Sequence, residues 1–155
     1  MPGESFVALI VSALLSASGL PVTADGSIIY VPSLDHTFIV TLSCTQWVGI
    51  FLETFTYLFA VWIFASIKGI TLRRRTYVAL GVAGFVGFFF ANVLRMFLEI
   101  YLLAKVYSPV YHVYLLNWQA FEEQIGISLM FAMFLTLLLS SYALLRRRTV
   151  KLPFY

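Results

Sequence analysis

From Trp47 to Ile67 the chain runs for about 20 residues, the length that crosses a bilayer, with Glu53 as its one charged side chain. Two further apolar runs, Tyr77 to Ala104 and Ile125 to Leu145, follow it. Basic residues punctuate them: Lys68 and Arg73 to Arg75 after the first, Arg146 to Arg148 and Lys151 after the last. No soluble core absorbs three such runs. Hydrophobic residues make up 61% of the chain and charged ones 11%, whereas soluble domains carry about a quarter charged residues. The reading is therefore an all-α polytopic membrane protein, a single transmembrane domain over residues 1–155.

An earlier run, Ser5 to Leu20, is apolar but short of a full crossing. The residues before it carry no lysine or arginine, so a retained first helix is expected there and not a signal peptide. Pro21 to Asp35 is polar and punctuated by glycine and proline. Within and after it, Ser27 to Tyr30 and Thr37 to Leu42 alternate like short strands. The expected fold thus has about four spans, near 5–20, 47–67, 77–104 and 125–145, with a short β-like external segment before the cysteine-bearing helix. Basic residues favour the cytoplasmic side. Both basic clusters then lie inside, both termini are cytoplasmic, and the segments around Asp35 and His112 lie outside; three spans after loss of the first run satisfy the same rule. The net charge of +3 is accounted for by these flanks, and no nucleic-acid partner is expected.

Few residue types capable of chemistry remain. One cysteine excludes an internal disulfide, and two histidines without cysteine partners argue against a zinc site. No metal and no cofactor are expected. Cys44 stands in Thr41-Leu42-Ser43-Cys44-Thr45-Gln46-Trp47, at the mouth of the first full span. A free thiol has a pKa of about 8.5 and becomes a good nucleophile beside a cation or a helix N-terminus. Ser43 or Thr45 could supply the cap of such a terminus. The plainer alternative is a small buried hydrophobe.

Arg95 lies 18 residues past Tyr77, roughly 27 Å along a helix, which brings it near the outer surface. An arginine inside a span is a functional candidate by default. Pairing with Glu99, four residues on, is the structural alternative. Asn92 shares the arginine's face and could orient the guanidinium or bind a carbonyl. His112 and His36 both compete as acid or base, and spacing does not choose between them. Glu53 reads as an interhelical hydrogen bond, while Glu122 and Glu123 read as solvated charges in a loop running from Lys105 to Gln124. Gly81, Ala83, Gly84, Gly87 and Ala91 permit close helix approach, with internal packing the commoner use.

Taken together these residues resemble the exosortase/archaeosortase family of membrane-embedded cysteine transpeptidases. Gly19-Leu20-Pro21-Val22 and Gly26-Ser27-Ile28-Ile29 resemble a helix ending in Gly-x-x-Val followed by a Gly-x-x-Ile strand. Ser43-Cys44-Thr45-Gln46 resembles the Cys-Ser/Thr-Gly signature, with Gln46 where glycine is usual, and Asn92-Val93-Leu94-Arg95 matches Asn-x-x-Arg. His112 follows in order. The resemblance implies that Cys44 is the nucleophile, that Arg95 stabilises thiolate and oxyanion, and that His112 moves protons. It also implies substrate proteins with a C-terminal motif, an apolar helix and a basic tail, cleaved at the outer face, with the acyl group passed to an amine, such as a lipid amine, or to water. Membrane lipids are the other expected partners. A non-enzymatic membrane subunit or scaffold with structural Arg/Glu pairs is the competing reading.

Overall fold

The computed structural model describes residues 2–105 and 118–149. Helix α1 (Pro2–Ala17) leads into three strands, β1 (Thr23–Asp25), β2 (Ile28–Val31) and β3 (His36–Ile39), then a single turn, α2 (Leu42–Thr45). Three long helices complete the described chain: α3 (Trp47–Ile67), α4 (Arg74–Lys105) and α5 (Trp118–Thr149). Three segments, Trp47–Ile67, Arg74–Lys105 and Phe121–Arg146, are long and apolar enough to cross a membrane, whereas the apolar helix Gly3–Ala17 is shorter. Their outward faces keep large apolar groups exposed, such as Val48, Phe55, Ile67 and Ile127. Lipid, not a private core, is the natural cover for such faces.

The chain forms two compact units. One takes its described residues from Met1–Trp47 and Ala91–Leu129, the other from Val48–Phe90 and Met130–Tyr155. Helices α4 and α5 contribute to both.

In the first unit α1 presents Val7, Ala8, Val11 and Leu15, all fully buried, at the spacing of one helical face. Opposite them lie the buried side chains of β2, Ile29 and Val31. Helix α1 stops where Gly19 turns left-handed at φ +81°. There Gly19 N–H donates to Ser16 O and Leu20 N–H to Leu15 O, the paired bonds of a Schellman cap. The strands form one antiparallel sheet in the order β1-β2-β3. Gly26, at φ +58°, opens the two-residue turn between Asp25 and Ile28, where a primed hairpin turn needs positive φ. The expected strands near 27–30 and 37–42 are thus present, but the second ends at Ile39 and a third, β1, joins them. On the far face the Tyr30 hydroxyl donates to the Asp35 carboxylate at 3.0 Å, which pushes the phenol above its ordinary pKa.

In the second unit α3 and α4 pack antiparallel through the small residues of α4. Gly81 faces Leu58, and a Cβ on Gly84 would meet the Tyr57 ring at 2.9 Å. Gly87 faces Met133 and Leu137 of α5. These glycines therefore serve internal packing, while Ala83 is exposed. Tyr57 is buried and hydrogen-bonded to Ser141 at 2.6 Å. The hydrogen bond expected of Glu53 is not seen: its Oε2 is buried with no partner among the described residues. The nearby hydroxyls are turned onto their own helix, Thr54 to Ile50 O and Thr56 to Leu52 O.

Candidate functional site

Cys44 is delivered by the sheet, not by a span. After β3 the Val40 N–H still bonds to Ser27 O at 2.8 Å, and Thr41 then takes an extended conformation as the N-cap of α2. The Thr41 hydroxyl oxygen accepts from Cys44 N–H at 3.4 Å and the hydroxyl lies 3.3 Å from Sγ as a donor. Sγ in turn lies 4.0 Å from Ile39 O. The cap of this turn is Thr41, which stands three residues before Cys44 with the backbone geometry a cap needs. The cysteine itself sits not on the long helix but on α2, which has four residues and is closed off by Gln46, at φ +49° and ψ +32°. The macrodipole is built from many aligned peptides, and one turn has few.

Gln46 is thus a non-glycine residue in the left-handed region. That conformation costs an L-residue roughly 1–2 kcal/mol, against about 0.5–1 kcal/mol for the greater freedom glycine loses on folding. Gln46→Gly is expected to leave thermal stability unchanged or to raise it by up to about 1 kcal/mol. Gln46→Val, β-branched and poorly tolerated at positive φ, is expected to lower it. Unfolding midpoints in detergent check both, and a stable valine variant would contradict the strained turn.

On α4, Asn92 is fully buried. It neither orients Arg95 nor stands open to a carbonyl ligand through its N–H groups. Its Nδ2 donates to the carbonyls of Cys44 at 3.0 Å and Thr45 at 3.2 Å, tying α2 to α4, and Thr45 is itself buried. A buried group left without its partner costs about 1–3 kcal/mol. Asn92→Ala, which strands two carbonyls, is expected to cost about 2–4 kcal/mol in thermal or denaturant unfolding and to change the alkylation rate of Cys44. An unchanged rate would show that the clamp does not hold the thiol.

One turn on, Arg95 is 6% exposed. Its Nε lies 3.2 Å from Glu99 Oε1, within ion-pair range but off the axis of a hydrogen bond. Its Nη2 donates to Glu122 Oε1 at 3.4 Å. Glu122 and Glu123 belong to α5, not to a loop as read from the sequence, because that helix begins at Trp118. Gly126 leaves room for the arginine: a Cβ there would lie 3.0 Å from Arg95 Cδ. The Arg95–Glu122 pair was signalled by distance. Arg95 is 21 residues beyond Arg74 and Glu122 is 24 before Arg146, roughly 32 and 36 Å along their helices, so both sit at a similar height above their basic ends.

Cys44, Arg95, Glu99 and Glu122 line one cleft of about 160 Å³, completed by Phe38, Ile39 and Val40 of the sheet and by Met96 and Ile100. That is room for roughly five waters. His36 lies on the face of β3 shared with Phe38, edge-on to its ring at 4.9 Å, and outside the cleft lining. His112 falls outside the described residues. Among the described residues no group of three histidine, cysteine or acidic side chains is placed to hold a metal ion. Comparison of the chain with models of protein families, with curated proteins and with solved structures finds no match in any of the three.

Proposed function

We propose that this protein is a membrane cysteine transpeptidase or protease of the exosortase/archaeosortase kind, with Cys44 as nucleophile. The observation that carries the reading is the cleft itself: a cysteine from a turn after the sheet and an arginine from α4 line one small space. The glycine-like backbone at Gln46, where the family signature has glycine, and the left-handed Gly19 and Gly26 support the same reading. The Cys44 thiol passes its proton to His112, and Sγ attacks the carbonyl of a substrate's C-terminal sorting signal. Arg95 donates to the tetrahedral oxyanion, a contribution of about 3–4 kcal/mol when such donors are preorganised. The C–N bond breaks, the departing amine takes a proton carried by His112, and the thioester passes to an amine acceptor or to water.

The substrate's apolar helix and basic tail match a cleft at the outer face, with the Arg73–Arg75 and Arg146–Arg148 clusters inside. Four crossings with both termini cytoplasmic require α1 to begin at the inner side. Against this, a Cβ on Gly3, in the first turn of α1, would lie 3.3 Å from Trp47 Nε1 at the head of α3. That approach favours three crossings.

A second reading has its own support. Glu99 and Glu122 already flank Arg95, so the arginine is compensated without a thiolate, as a structural element of a non-enzymatic membrane subunit would be. Mass spectrometry of the full-length protein in detergent, incubated with peptides carrying candidate sorting signals, separates the two. A peptide thioester on Cys44 supports the enzyme; substrate cleavage with no adduct, and no dependence on Cys44, defeats it.

A further inference from the structure

Within the second unit a groove of about 480 Å³ runs between α3 and α5, walled by Ala60, Val61, Ile67, Leu138, Leu139 and Leu145 among others. The Ser141 hydroxyl in its wall is engaged with Tyr57, so the groove suits hydrocarbon and penalises a polar occupant. A second space of about 200 Å³ is lined by Phe64, Lys68, Ile70, Tyr142 and Arg146. Phe64 and Tyr142 belong to both linings and meet edge-on with ring centroids 5.0 Å apart. The two spaces therefore adjoin, one apolar and one basic.

We propose that together they bind one anionic phospholipid, with its phosphate between Lys68 and Arg146 and an acyl chain along the groove. Lys68 directly follows α3 and Arg146 lies in the last part of α5, where a span meets the headgroup layer. From Lys68 back to Ala60 is eight residues, roughly 12 Å of helix, so the groove descends from the charges into hydrocarbon. Among the described residues two cations and no carboxylate line the basic space. That charge excludes the basic tail of a substrate helix and favours a net-negative headgroup over a zwitterionic one. The groove's volume falls within the range of about 300–1,000 Å³ typical of small-molecule sites.

The test is native mass spectrometry of the full-length protein, titrated in detergent with phosphatidylglycerol and with phosphatidylcholine of identical acyl chains. Phosphatidylglycerol is expected to bind about tenfold more tightly. Lys68→Gln/Arg146→Gln should abolish that preference at an unchanged unfolding midpoint. Arg73→Gln/Arg74→Gln, which removes the same charge outside the lining, should keep it. Ala60→Trp, which fills the groove, should weaken both lipids. Equal binding of the two lipids by the wild type, a preference that survives in the Lys68/Arg146 variant, or one lost equally in the Arg73/Arg74 variant overturns the site. Displacement of bound lipid by equimolar glycerol 3-phosphate would assign the basic space to a free anion and overturn the lipid as well.

Discussion

Cys44→Ala is expected to abolish processing of a substrate carrying a C-terminal sorting signal, by about 10⁴-fold or more, while the protein still folds and inserts. The side chain is small and only half-buried, and its contacts are weak: a 3.3 Å approach from Thr41 and a 4.0 Å one to Ile39 O. Its loss should therefore shift stability by no more than about 0.5 kcal/mol, as for other substitutions away from a packed core. Co-expression with a substrate, followed by the gel mobility of the released product, reads the activity. A thermal melt in detergent reads the fold. Processing that persists in the alanine variant would remove the thiol from the chemistry.

The largest effect on stability is expected at Arg95. Arg95→Ala leaves Glu99, 6% exposed, buried without its cation, and breaking a buried pair in this way costs about 3–5 kcal/mol. Arg95→Lys restores the charge but not the planar fork of donors. If the arginine only neutralises Glu99 and Glu122, lysine should recover both stability and function. If it also holds an oxyanion, lysine should recover most of the stability while processing stays down by about 10²–10³-fold. Adding Glu99→Gln and Glu122→Gln to the alanine variant should return stability without activity. Denaturant midpoints and the processing assay on the same preparations separate the roles.

The long helices were legible because a bilayer imposes a length, and α3 runs over the residues its apolar run marks. The ends were less so. Helix α4 begins at Arg74 and α5 at Trp118, since arginine, tryptophan and glutamate all continue a helix readily and nothing in hydropathy marks where water replaces lipid. Asn92 was visible as a polar residue in a span, but its partners, the carbonyls of Cys44 and Thr45, belong to the backbone and leave no trace in side-chain spacing. Glu122 read as a loop charge because its helix looked shorter than it is. Gln46 carried a hint of its left-handed conformation only through the glycine usual at that place in the family pattern. The burial of α1 against the sheet was hidden for a different reason: an apolar helix looks the same whether strands or lipid cover it.

The bond from Asn92 to the Cys44 carbonyl joins residues 48 positions apart. A single turn such as α2 does not persist unaided, because helix nucleation is unfavourable until further bonds follow. While the chain is being made, at about 5–20 residues per second, Cys44 therefore leaves the ribosome on the order of 2–10 s before its anchor exists. The thiol acquires its final setting only when α4 arrives, so a nascent fragment ending before that helix is chemically immature. Assembly and placement of the cysteine become one event.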